Sequence, residues 1–156
     1  MTATQENGWE LSVSTYIAAP PEKVWDIMTN RMEEWWCPKP WRTEIIEQQW
    51  HSGGRSAMVM KGPNGEEHPQ EGIFLEVVPG VRFVSTDAFV RGADGSLMPS
   101  APFMLGIWEI APEGDGTRYT ARSRHWDEAT TKQHDDMGFQ QGWGACAQQL
   151  KELAES

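Results

Sequence analysis

Apolar and polar positions alternate along residues 9–17. Trp9, Leu11, Val13, Thr15 and Ile17 fall on one face, and Glu10, Ser12, Ser14 and Tyr16 on the other, which predicts a half-buried strand. Pro20-Pro21 ends it and suits the first turn of a helix, where a missing N–H costs little. Val24, Trp25 and Met28 then form an apolar stripe at helical spacing. Asn30 and Glu33 stand three apart, as in a capping box, so a second short helix is expected from Asn30, stopped by Pro38 and Pro40.

The middle of the chain has the period of strands: Thr43 to Trp50, Arg55 to Lys61, Glu71 to Val78, Val81 to Val90 and Phe103 to Ile110. Turn chemistry separates them at Ser52-Gly53-Gly54, Pro63-Asn64-Gly65 and Pro79-Gly80, and Asn-Gly in particular tolerates the positive φ angles of a tight hairpin. Arg91 to Ser100 is expected to be a polar loop. After Glu113-Gly114-Asp115-Gly116, Arg118, Thr120, Arg122 and Arg124 alternate with Tyr119, Ala121, Ser123 and His125. Three arginines on one face mark the solvent side and put Tyr119 and His125 on the inner face.

Glu128 to Glu155 has a long helical pattern. Phe139, Trp143, Cys146, Leu150 and Leu153 make one stripe, while Gly138, Gly142 and Gly144 cost helix propensity. Those glycines fit a place where another surface approaches closely or a cavity needs room. The order is strand, two short helices, about six strands and one long helix, which an α+β arrangement satisfies if one antiparallel sheet curls around the last helix. One helix cannot fill such a sheet, so a cavity is expected between them.

With 156 residues the chain is expected to form a single domain spanning 1–156. Thirteen basic against 23 acidic side chains give a net charge of -10, which disfavours nucleic acid. Neither a signal peptide nor an apolar run long enough for a bilayer is evident, so no membrane association and a cytoplasmic location are expected. Cys37 and Cys146 lie in different predicted elements and are expected to be buried free thiols. Nine tryptophans and eight methionines supply large apolar surfaces suited to a core, a cavity wall or a homodimer interface.

Candidate chemistry is sparse. His125 on the inner face is a candidate acid or base, with a histidine bonded to a neighbour at the cavity rim as the alternative. Asp87 shares a strand face with Phe83 and Phe89 and is its candidate partner. His134, Asp135 and Asp136, with His51 or His68, suggest a metal, but adjacent helical residues diverge, so none is expected. Cys37 has no evident base beside it. No nucleotide-binding loop or nucleophile elbow occurs, and no cofactor is expected. Trp36, Met58, Phe83, Phe89, Trp108, Tyr119, His125, Met137 and Trp143 are the candidate ligand-binding residues.

The run Ala19-Pro20-Pro21-Glu22-Lys23-Val24-Trp25 resembles the opening of the SRPBCC superfamily. Trp35-Trp36 before a proline, Gly53-Gly54 heading a strand, Asn64-Gly65, Gly72 before Glu76-Val77-Val78-Pro79, and Gly142-Trp143 extend the match from about Leu11 to Leu153. Together they resemble the activator-of-heat-shock-protein-ATPase (AHSA1-type) branch. The resemblance implies a START/Bet v 1-like helix-grip fold: a curved antiparallel sheet wrapped around a long C-terminal helix, with two short helices after the first strand. It also implies a cavity for a small hydrophobic or amphipathic ligand. An enzyme of cyclase, hydrolase or lyase type using His125 and Asp87 is one alternative. A stress-response chaperone partner is another; the eukaryotic namesake stimulates a chaperone ATPase, but it carries a further N-terminal domain with no counterpart here.

Overall fold

The computed structural model describes residues 9–156. Strand β1 (Glu10–Ile17) leads into helix α1 (Pro21–Asn30) and the single turn α2 (Met32–Trp35). Strands β2 (Arg42–Gln48), β3 (Arg55–Lys61), β4 (Glu67–Val78), β5 (Arg82–Thr86), β6 (Phe89–Arg91), β7 (Leu97–Pro99), β8 (Leu105–Glu113) and β9 (Gly116–Arg124) follow. Helices α3 (Glu128–Asp136) and α4 (Phe139–Glu155) close the chain. Seven strands form one antiparallel sheet in the order β1-β9-β8-β5-β4-β3-β2, and β6 and β7 pair separately as a hairpin.

This is the expected α+β helix-grip architecture. The inner face of β9 is Thr117, Tyr119, Ala121 and Ser123, all fully buried. Its outer arginines pair across the surface, Arg118 with Glu113, Arg122 with Glu109 and Arg124 with Glu10. Register shifts at Ile45/Glu47 and Phe74/Glu76 insert one residue each, which leaves Ile46 and Leu75 exposed and increases the local bend of the sheet. Gly72 allows the bend to close, because a Cβ there would run into the Thr86 carbonyl oxygen.

Four local expectations are corrected. The capping box does not form: Asn30 donates to Asp26 (2.7 Å), and Glu33 accepts from the Ile45 amide (2.7 Å), tying α2 to β2. The apolar stripe of α1 is Val24, Ile27 and Met28, with Trp25 only half-buried beside it. The strand expected from Val81 to Val90 stops at Thr86, bends, and resumes in the β6-β7 hairpin, inside the segment expected to be loop. The long helix from Glu128 is two helices, because Gly138 adopts φ +95 and breaks the run. Such an angle is easy only for glycine, and a glycine just past a helix is a stop signal.

Helix α4 buries Phe139, Trp143, Cys146, Leu150 and Ala154 and packs chiefly against β1, α1 and α2. A helix about 10 Å across covers roughly two strands at a spacing of about 4.8 Å. The β3–β5 side of the seven-stranded sheet is therefore left uncovered by α4, and that is where the cavity opens.

Candidate functional site

The cavity measures about 480 Å³, within the usual range for small-molecule sites. Its floor is the concave sheet: Gln48 from β2, Ser56, Met58 and Met60 from β3, Gln70 and Phe74 from β4, Phe83 and Ser85 from β5, and Trp108 from β8. Its roof is Gly142, Trp143 and Cys146 of α4 with Trp36, Cys37 and Pro38, and one end is formed by Phe103, Met104 and His134.

Ring packing sets the wall. Phe83 stacks on Trp108 (centroids 5.1 Å apart) and Trp108 on Trp143 (5.4 Å), each at an interplanar angle of 17°. Trp36 stands edge-on to both indoles, at 5.6 and 5.2 Å. Gly106 makes this possible, because a Cβ there would collide with the Trp108 ring folded over it. At Gly142, by contrast, a Cβ would meet only Pro38, at 4.0 Å. This glycine leaves room in the cavity roof rather than admitting a close neighbour.

The segment carrying Trp36 is held from two sides. Gln149 of α4 donates to the Trp35 and Cys37 carbonyls (2.9 and 3.0 Å) and accepts from the Lys39 amide (3.0 Å). Thr43 donates to the Trp36 carbonyl (2.7 Å). Cys37 has φ 90, and its amide donates to Cys146 Sγ (3.2 Å). Both thiols are free and buried; burial raises the Cys37 pKa and pushes Cys146 up to about 12, so neither is a thiolate near neutral pH.

The polar end is a pair of histidines. His125 Nε2 and His134 Nδ1 lie 2.9 Å apart, and Ser123 Oγ sits 3.1 Å from the first and 3.2 Å from the second. His125 Nδ1 is 2.9 Å from the Trp9 carbonyl oxygen. His134 is 8% exposed and ringed by Phe103, Phe139 and Trp143, with centroids 4.9, 5.1 and 5.9 Å away. Desolvation among these rings, with a smaller effect from His125, lowers its pKa to about 4. It is a neutral imidazole at ordinary pH.

Several buried polar atoms at this site have no protein partner. Neither amide atom of Gln48 is bonded, nor is Nε1–H of Trp108. Unpaired buried polar groups each cost on the order of 1–3 kcal/mol and are uncommon in folded proteins.

A family model described as activator of Hsp90 ATPase homolog 1-like protein matches residues 18–155. The chain belongs to this family. Within the SRPBCC fold, it is similar to a crystal structure of a protein from Nitrosomonas europaea: 34% identity over 98% of this chain and 96% of the other, with a TM-score of 0.85. A Mycobacterium smegmatis protein shares the fold at 22% identity and TM-score 0.77, covering 93% of this chain and 90% of its own. A Silicibacter pomeroyi member of the family does so at 20% identity and TM-score 0.68, covering 93% and 97%. No curated protein matches the chain. The family's fold suggests a domain that binds a ligand or cofactor. No helix among the described residues is long and apolar enough to cross a membrane.

Of the candidate ligand-binding residues in this family member, Trp36, Met58, Phe83, Trp108 and Trp143 line the cavity, and Met137 stands at its mouth, 67% exposed. Phe89 does not line it: the bend after Thr86 resets the alternation and leaves the ring 43% exposed on the β6-β7 hairpin. Tyr119 faces inward but is sealed beneath Trp35 (6.1 Å), away from the cavity. His125 lies behind His134 rather than on the wall. Asp87 reaches the cavity, yet its Oδ1 accepts from the Phe103 and Met104 amides (2.7 and 3.3 Å). No hydrogen bond joins Asp87 to His125 among the described residues. Many lining residues lie outside the candidate set, and among the polar ones are His134, Gln48, Ser56, Gln70 and Ser85.

Proposed function

We propose that this protein binds a hydrophobic or amphipathic small molecule in the cavity between the sheet and α4. The observation that carries the reading is an apolar chamber of about 480 Å³ whose wall includes the unpaired amide of Gln48. Aromatic and methionine side chains provide affinity, and a few fixed polar groups set orientation. A cytoplasmic location belongs to the same proposal and agrees with two buried free thiols.

Native mass spectrometry of the purified protein, combined with a tryptophan-quenching screen of small aromatic and aliphatic compounds, tests it. Gly142→Phe places a ring in the open roof and should abolish any binding seen in the wild-type protein. Binding that survives this substitution in a folded protein would place the ligand elsewhere.

The family description also favours a second reading, stimulation of a chaperone ATPase. An ATPase assay with a purified Hsp90-type chaperone tests it directly, and an unchanged rate across stoichiometric and excess protein removes it.

A further inference from the structure

The His125–His134 pair gives the cavity a hydrogen-bonding sense that follows from proton bookkeeping. The Trp9 carbonyl can only accept, so the proton on His125 resides on Nδ1 (2.9 Å from that oxygen), and Nε2 of a neutral His125 carries a lone pair. Nε2 of His125 and Nδ1 of His134 are 2.9 Å apart. Two lone pairs at that distance would repel, so one proton lies between the rings, and in the neutral pair it belongs to His134 Nδ1. Nε2 of His134 is then an acceptor. Among the described residues His134 is hydrogen-bonded only through Nδ1, and Nε2 is not one of the fully buried unpaired atoms, so it stays accessible on a side chain that lines the cavity. The second imidazole and the Trp9 carbonyl thus fix the tautomer of the first, as an outer partner fixes a metal-ligating histidine.

Charge on the wall narrows the ligand further. Among the described residues no lysine or arginine lines the cavity. Its two carboxylates are already engaged: Asp87 accepts from backbone amides, and Glu71 forms a two-pronged pair with Arg55 (3.1 Å on each arm). A ligand carboxylate would therefore meet an acceptor nitrogen and the Asp87 carboxylate, whose partners are neutral amides, with no lining cation to offset its desolvation. The stacked Phe83–Trp108–Trp143 wall and edge-on Trp36 favour a flat, π-bearing body.

We propose that the cavity selects an uncharged aromatic ligand bearing a hydroxyl, of the phenol class, which donates to Nε2 of His134, with His125 as the positioning residue that keeps this nitrogen an acceptor. This rests on the small-molecule reading above and adds the chemistry of the ligand's polar end. Ser123 completes the arrangement by bridging the two rings, at 3.1 and 3.2 Å.

Three probes of one shape separate the outcomes: naphthol, its methyl ether, and naphthalenecarboxylate. They are titrated near neutral pH against the wild-type protein, His134→Phe and His134→Gln, with tryptophan emission and calorimetry as readouts. The wild-type protein should prefer naphthol over the ether by about tenfold, the worth of one hydrogen bond to a desolvated acceptor, and should bind the carboxylate most weakly. His134→Phe should erase the preference while still binding both neutral probes. His134→Gln, whose amide oxygen can accept, should restore part of it. Equal affinity for naphthol and ether in the wild-type protein, or tightest binding of the carboxylate, overturns the inference and leaves the small-molecule reading standing. Failure of all three to bind counts against both. Nitrogen-15 NMR of the wild-type imidazoles gives an answer independent of the variants: His134 should appear as the Nδ1–H tautomer, and an Nε2–H tautomer overturns the proposal.

Discussion

The buried imidazole of His134 should make the protein acid-labile in a way that can be calculated. In the unfolded chain this group titrates near 6.5; in the folded protein, desolvation by Phe103, Phe139 and Trp143 holds it at about 4. Below about pH 6.5 the unfolded state takes up a proton that the native state refuses. This contribution to stability is thus intact above pH 6.5, falls as pH drops, and levels off once the folded pKa is passed. The slope between the two values is about 1.4 kcal/mol per pH unit, which gives a loss of about 2 kcal/mol by pH 5 and about 3 kcal/mol by pH 4. Carboxylates titrate over part of this range, so the informative quantity is the difference between the wild-type protein and His134→Gln. Urea unfolding followed by tryptophan emission at half-unit pH steps measures it. The variant carries a fixed cost from the lost packing and bridge, but the gap between the two proteins should narrow by about 2 kcal/mol from pH 7 to pH 5. A gap that stays constant over this interval would show that His134 is not held neutral by burial, and the reasoning about its environment would be wrong.

Gly142→Ala should raise the melting temperature: the helix gains about 1 kcal/mol of propensity, the new methyl meets only Pro38, and a rise of about 2–4 °C is expected for a chain of this size. Gly106→Ala should do the reverse, costing about 1–3 kcal/mol as Trp108 is pushed off the sheet, with a matching change in near-ultraviolet circular dichroism. Tyr119→Phe removes a buried hydroxyl that has no partner and whose ionisation burial already pushes well above the ordinary range. Urea unfolding should show it neutral or stabilised by up to about 1 kcal/mol, and a loss above that would reveal a bond to the hydroxyl.

The architecture was legible where one face of an element meets water and the other does not. In β9 the arginine alternation assigned the inner face correctly, and the turn at Asn64-Gly65 fell where Gly65 adopts φ +87. The apolar stripe of the last helix held from Phe139 to Leu150. Legibility failed where a single residue interrupts the period. The bend after Thr86 displaced Phe89 from the wall, and Gly138 divided the last helix. His134 of α3 meets His125 just past the end of β9, nine positions away along the chain. Neither contact has a local pattern, because each depends on where two elements meet in space. Gln48 escaped for a related reason: the register shift in β2 changes which of its side chains face inward.

Trp108 and Trp143, parallel at 17° and 5.4 Å apart, also have an optical consequence. Two indoles this close do not absorb independently. Their electronic transitions mix, and where the in-plane transition dipoles are rotated relative to one another about the line joining the rings, the pair contributes a signed exciton couplet to the circular dichroism spectrum, superimposed on the backbone signal. One chromophore comes from the sheet and the other from α4, so the couplet reports the spacing between these two layers. Any molecule that wedges them apart, or any substitution that tilts either ring, should weaken the couplet without altering helix or strand content, giving the cavity an intrinsic gauge that requires no label.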